Sequence, residues 1–157
     1  MVSEANGTKR VHLVSIIAAV LMVAFVFAAP IVIASSIGDR ERAFTLYDAL
    51  IEFDASGSNA QAALVIATLL IAVSIVLLFA HGFLLIEDRM GIIAGILAIA
   101  TLVPLTAFHA YSAQRSISIL GFEIVTVSMG YGVFVPATIG LLFLIAMRLT
   151  GSSRIGG

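Results

Sequence analysis

Four long apolar runs organise this chain, at residues 11–35, 61–85, 91–108 and 133–149. Each is close to the ~20 residues that a helix needs to cross a bilayer. The runs are continuously apolar, whereas the strands of a membrane barrel alternate apolar with polar positions. A backbone in hydrocarbon has to satisfy its own N–H and C=O groups, so helices are the predicted form. The connections between the runs are unequal. The second is little more than Ile86-Glu87-Asp88-Arg89-Met90, which makes the second and third spans antiparallel neighbours and is expected to be a solvated hairpin. The first and third, residues 36–60 and 109–132, are long and polar and fall on one side. The expected fold class is all-α integral membrane, a single domain over residues 1–157. It is an antiparallel four-helix transmembrane bundle with a small extracellular β-element made from the two outer loops.

Small residues give each span a smooth stripe, because helices in lipid associate by close packing. The stripes are Ala24 and Ala28; Ala60, Ala63 and Ala67; Gly91, Ala94, Gly95 and Ala98; and Gly132, Pro136 and Gly140. They predict packing within one chain, with dimerisation as the alternative. Pro30 and Pro104 lie inside spans, where each removes a helix hydrogen bond and predicts a kink. Pro136 falls in the first turn of the fourth span, where proline is tolerated.

The outer loops read differently from the spans. In the first, Ala43-Phe44-Thr45-Leu46-Tyr47 and Ile51-Glu52-Phe53-Asp54 alternate nearly as half-buried strands do, around a turn at Asp48-Ala49-Leu50. The same residues from about Arg40 to Phe53 also fit an amphipathic helix on the membrane surface, with Phe44, Tyr47, Leu50 and Ile51 on one face. In the second loop, residues 116–120 and 123–128 are rich in Ile, Val, Thr and Ser and flank Gly121-Phe122, which predicts two strands around a turn. An isolated hairpin is marginal in water, so the two loops are expected to pair into one sheet. Tyr47, Tyr111 and Tyr131 sit near the outer boundary, where an apolar ring with a wet hydroxyl is favoured.

Composition supports lipid as the solvent. The chain is 61% hydrophobic and 11% charged, against about 45–50% and about 25% in soluble domains. Its mean hydropathy is +1.18. There is no cysteine, which excludes disulfides, thiolate metal sites and thiol catalysis. No basic cluster with interleaved aromatics appears, so no nucleic-acid partner is expected. The first run is longer than the ~7–15-residue apolar region of a signal peptide and is read as a retained helix. Basic residues near the span ends set orientation. With the N-terminus cytoplasmic, Lys9, Arg10, Arg89, Arg148 and Arg154 lie inside and Arg40, Arg42 and Arg115 outside. The acids of the long loops, Asp39, Glu41, Asp48, Glu52, Asp54 and Glu123, then lie outside as well. Both termini are expected in the cytoplasm, at the cell membrane. Asn6-Gly7-Thr8 matches a glycosylation acceptor. Its use would invert this topology.

Candidate chemistry is sparse. The spans hold no Asp, Glu, Lys or Arg away from their ends. His81 near the inner end of the second span and His109 near the outer end of the third are too far apart to share a metal. His12 and His81 both lie near the inner surface, where a bis-histidine haem is conceivable. The expected role of each imidazole is a hydrogen bond to interfacial water or a backbone carbonyl. Asp39 with Glu41, and Asp48 with Glu52 and Asp54, read as a solvated acidic face. No phosphate-binding glycine loop, His-Glu-x-x-His motif or serine nucleophile elbow occurs. No catalytic, cofactor-binding or metal residue is assigned.

The layout resembles the claudin-like tetraspan group. Those proteins share four spans, internal termini, a short inner turn, a larger first outer loop with strands and a smaller second one. The tryptophan motif with two cysteines that marks the group's first loop has no counterpart here, so the resemblance carries no functional residue. The expected function is that of a non-enzymatic structural or interaction protein, with the bilayer and other membrane proteins or copies of itself as partners. The alternatives are an accessory subunit of a larger membrane complex of respiratory or oxygenase type, and a small channel or transporter.

Overall fold

Helices form along the apolar runs, but the first run divides. This computed structural model describes residues 2–36, 41–51, 58–113, 117–119 and 122–152. Helix α1 spans Val2–Ala28, and strand β1 begins at Pro30 and ends at Ser36. A span over residues 11–35 kinked at Pro30 is therefore not what forms. Proline has no N–H and disfavours helical geometry in the residue before it, which ends α1. Ile31, Val32 and Ile33 are β-branched and suit a strand.

The chain continues through β2, Arg42–Thr45, and a short helix α2, Leu46–Ile51. The strand reading thus holds for residues 43–45 and the helical reading for 46–51, where the turn expected at 48–50 is part of α2. The second proposed strand, residues 51–54, begins on the last residue of α2 and otherwise lies outside the described residues. Helix α3 is Ser58–Gly82, α4 is Asp88–Ala100 and α5 is Leu102–Ala113. Strands β3, Ile117–Ile119, and β4, Phe122–Met129, fall where two strands are predicted. A 3-10 turn, Tyr131–Phe134, leads into α6, Val135–Ser152.

Three helical stretches are long and apolar enough to cross a membrane, Asn59–Gly82, Asp88–Ser112 and Tyr131–Leu149, and His12–Ala28 is a shorter apolar one. The third run breaks between α4 and α5. Pro104 supplies no N–H to the carbonyl of Ala100, although i→i−4 bonds continue on either side, from the Thr101 N–H to Leu97 at 3.2 Å and from the Leu105 N–H to Thr101 at 3.1 Å. At the break the Thr101 hydroxyl donates to the Ala98 carbonyl at 2.6 Å.

The four members close into a ring. α1 and α4–α5 each pack against both α3 and α6. Each member buries a stripe at three- and four-residue spacing, such as Ser15, Ala18, Ala19, Met22 and Phe25 on α1. The small residues of α3, α4 and α6 lie on these buried stripes, as internal packing requires. A Cβ on Gly140 would stand 2.6 Å from the Gly95 carbonyl, so α4 and α6 touch backbone to backbone. The α1 stripe departs from expectation: Ala24 and Ala28 are exposed, and larger side chains make the contact.

One end of the ring carries the tight α3–α4 hairpin. The other carries a four-stranded antiparallel sheet in the order β2-β1-β4-β3. β1 is central, with Val32 opposite Phe44 on one side and Met129 on the other. The two long connections therefore do pair, through a strand recruited from the end of the first run. Gly130 crosses the β1 backbone at Pro30 so closely that no Cβ fits. Its N–H bonds to the Ile31 carbonyl at 3.0 Å.

Candidate functional site

His81 anchors the hairpin end. It lies in the last turn of α3, and its ring is fully buried. The backbone after it explains how α3 stops. The Leu85 N–H reaches the Ala80 carbonyl at 2.9 Å and the Leu84 N–H reaches the His81 carbonyl at 3.1 Å. This is a Schellman cap, whose left-handed position is usually glycine. Here Leu84 holds it at φ 62°. The hairpin turns sharply enough for α4 to pack Gly91 against the imidazole, where an added Cβ would stand 3.0 Å from the ring.

Three elements then meet on one side chain. The Ser15 hydroxyl of α1 lies 2.7 Å from His81 Nδ1, and His81 Nε2 lies 3.1 Å from Asp88 Oδ1 of α4. In a neutral ring, the arrangement that uses both nitrogens has Ser15 donating to Nδ1 and Nε2–H donating to the carboxylate. His12 completes the cluster. Its Nδ1 donates to the His81 carbonyl at 2.8 Å, and the two ring centroids are 5.1 Å apart. That carbonyl thus accepts from both His12 and Leu84. Phe143 of α6 closes the site edge-on at 6.3 Å.

The order Ser15–His81–Asp88 has the composition of a proton relay. Ser15 is fully buried, so a substrate has no approach to its hydroxyl. What the arrangement does is lock α1, α3 and α4 together at one point. The bis-histidine haem does not fit it, because both His81 nitrogens are engaged and His12 spends its Nδ1 on the His81 backbone. The expected backbone hydrogen bond of a buried imidazole is present, but His12 makes it. The hairpin is not only a solvated turn: Asp88, whose side chain is 62% exposed, reaches inward to His81. Among the described residues no group of three or more His, Asp or Glu is placed to hold a metal.

The sheet end is built otherwise. Thr45 and Asp48 form a capping box at the start of α2. Asp48 Oδ2 accepts from the Thr45 N–H at 3.0 Å and from its hydroxyl at 2.8 Å, while the Asp48 N–H donates to Thr45 Oγ1 at 3.2 Å. The backbone N–H of Thr45, and then its hydroxyl, hold the Asp48 carboxyl below the usual carboxylate range. Asp48 is thus a helix cap. Glu41 is exposed, and Asp39, Glu52 and Asp54 lie outside the described residues. Tyr47, Tyr111 and Tyr131 are all exposed, and the Tyr47 ring lies tilted at 44° against Phe27 with ring centroids 5.2 Å apart. On α5, His109 Nδ1 and Ser112 Oγ are buried with no hydrogen-bond partner among the described residues. They are three residues apart and share one helix face.

Comparison with protein-family models, curated proteins and solved structures finds no match to this chain.

Proposed function

We propose that this chain is a non-enzymatic multi-pass membrane protein. Its four helical members span the cell membrane, with both termini and the hairpin in the cytoplasm and the sheet outside. It acts as a structural or interaction protein, engaging other membrane proteins or copies of itself through the sheet end and the bundle faces. The observation that carries this reading is the belt around the bundle. Side chains facing away from the core are as apolar as those inside it: Leu21 on α1, Leu69 and Val76 on α3, Ile96 on α4, and Leu142 and Leu149 on α6 are all more than half exposed. Monomeric soluble proteins rarely expose more than a few hundred Å2 of contiguous apolar surface.

The hydroxyl groups of the apolar helices support the same reading. Thr68, Ser74, Thr101, Thr106 and Thr138 each donate to a backbone carbonyl and ask nothing of solvent. Orientation follows the excess of Lys and Arg at the hairpin side, and the tyrosines at the sheet end suit the interfacial belt. The claudin-like resemblance is one of layout and agrees with this placement. β2 stands at one edge of the sheet, the position at which a partner strand adds.

The test is the native mass of the full chain extracted in a gentle detergent, with its companions identified. The proposal expects a self-assembly or a stable complex with other membrane proteins. A fixed heteromeric stoichiometry would favour an accessory subunit, and a lone monomer would overturn the interaction role.

A further inference from the structure

The seam between α4 and α6 has a polar mouth that the bundle does not use. On the α4 side a stripe at three- and four-residue spacing runs Arg89, Ile92, Ile96 and Ile99. On α6 the matching stripe runs Arg148, Ile145, Leu141 and Thr138. The two stripes flank the seam on the same side, because Ile99 from one and Thr138 and Leu141 from the other line a single cavity. Phe134 and Ala137 complete its wall, and its volume is about 190 Å3. Both stripes end at the hairpin side on an arginine. Arg89 and Arg148 are exposed, and among the described residues neither has a hydrogen-bond or ion-pair partner. The outcome is an apolar groove with two unpaired guanidinium groups at one mouth.

Its depth is informative. From Arg148 to Thr138 the helix rises about 15 Å at 1.5 Å per residue. That is half of the ~30 Å hydrocarbon core, the thickness of one leaflet. We propose that this groove binds an anionic phospholipid of the hairpin-side leaflet. One acyl chain lies along the two stripes with its end in the cavity, and the headgroup phosphate accepts hydrogen bonds from Arg89 and Arg148. Arginine suits that role because its planar fork pairs with phosphate oxygens bidentately. A packed protein helix would cover the apolar stripes but leave both guanidinium groups without a counter-charge. This inference rests on the membrane reading above.

The experiment reconstitutes the full chain in nanodiscs of equal phosphatidylglycerol and phosphatidylcholine and reads the retained lipids by native mass spectrometry. Juxtamembrane basic residues are worth about fivefold each toward anionic lipid, so the unmodified chain is expected to prefer phosphatidylglycerol by about 30-fold. Arg89→Gln and Arg148→Gln each lower the preference about fivefold, and together they abolish it. Arg42→Gln, at the sheet end, leaves it unchanged. Ala137→Leu fills the cavity and lowers retention of both lipids. Equal retention of the two lipids by the unmodified chain overturns the proposal, and this holds even if the double variant fails to fold. Unchanged retention in Ala137→Leu, or an equal loss in Arg42→Gln, overturns the groove as the site. Carbonate extraction of the native membranes separates the two ideas. A chain released by carbonate sinks the spanning reading, whereas a retained chain without headgroup preference sinks only the lipid site.

Discussion

The hairpin end and the sheet end of this bundle satisfy their polar groups by opposite means. At the hairpin end, one buried residue of α3 gathers a serine and a second histidine from α1, far away in the chain, and a carboxylate from the start of α4. At the sheet end strand pairing and a local cap carry the structure, while two buried polar side-chain atoms have no partner among the described residues. Side-chain chemistry therefore holds the fold at the hairpin end, and strand pairing holds it at the sheet end. A hydrogen-bonded group in an apolar interior is costly to disturb, and an unpaired one is costly to keep.

The largest effect is expected at His81. His81→Ala opens a cavity beside Gly91 and leaves the buried Ser15 hydroxyl without its imidazole partner. A loss of about 3 kcal/mol is expected in equilibrium unfolding followed by circular dichroism in detergent. A change below about 1 kcal/mol would show that the cluster is incidental. The two serines then set the ends against each other. Ser15→Ala is expected to lose about 1–2 kcal/mol and Ser112→Ala to be neutral or stabilising, because only the first hydroxyl has a partner to lose. Equal losses would remove the contrast between the ends.

Smaller effects test the local backbone. Thr45→Ala removes the cap of α2 and is expected to cost about 1 kcal/mol. The cap also predicts a pH dependence. The folded Asp48 carboxyl titrates below its ordinary value because Thr45 holds it ionised. Its contribution is therefore full above the unfolded carboxylate range and is lost as pH falls through the folded value. Acid titrations of the native chain and Asp48→Asn should diverge at neutral pH and converge in acid; parallel curves would contradict the cap. Smallest is Leu84→Gly, which relieves a left-handed leucine at the Schellman cap. A gain of about 0.5 kcal/mol is expected after the added flexibility of glycine is offset.

The tight hairpin was legible because five polar-rich residues between two apolar runs permit little else. The end of the first run was not. Pro30-Ile31-Val32-Ile33-Ala34 is as apolar as the helix before it, and periodicity fails when both faces of an element are apolar. Only the proline and the three β-branched residues signalled β1. The first outer loop divides at Thr45, and the signal for that division was Thr45 with Asp48 three residues on, a capping pattern that alternation obscured. The His81 cluster was largely illegible, since its contacts to Ser15 and His12 cross 66 and 69 residues. Asp88, seven residues away, was hidden by the habit of reading charged turns as solvated.

The proposed orientation puts the two ends on opposite sides of the membrane, and a sequence without cysteine makes that directly measurable. Single substitutions Ala43→Cys, on the exposed face of β2, and Glu87→Cys, on the exposed hairpin, supply one reporter for each end. In sealed intact cells an impermeant maleimide should label Ala43→Cys at once and Glu87→Cys only after the membrane is opened. Labelling of both positions without permeabilisation, or of Glu87→Cys alone, would contradict the account.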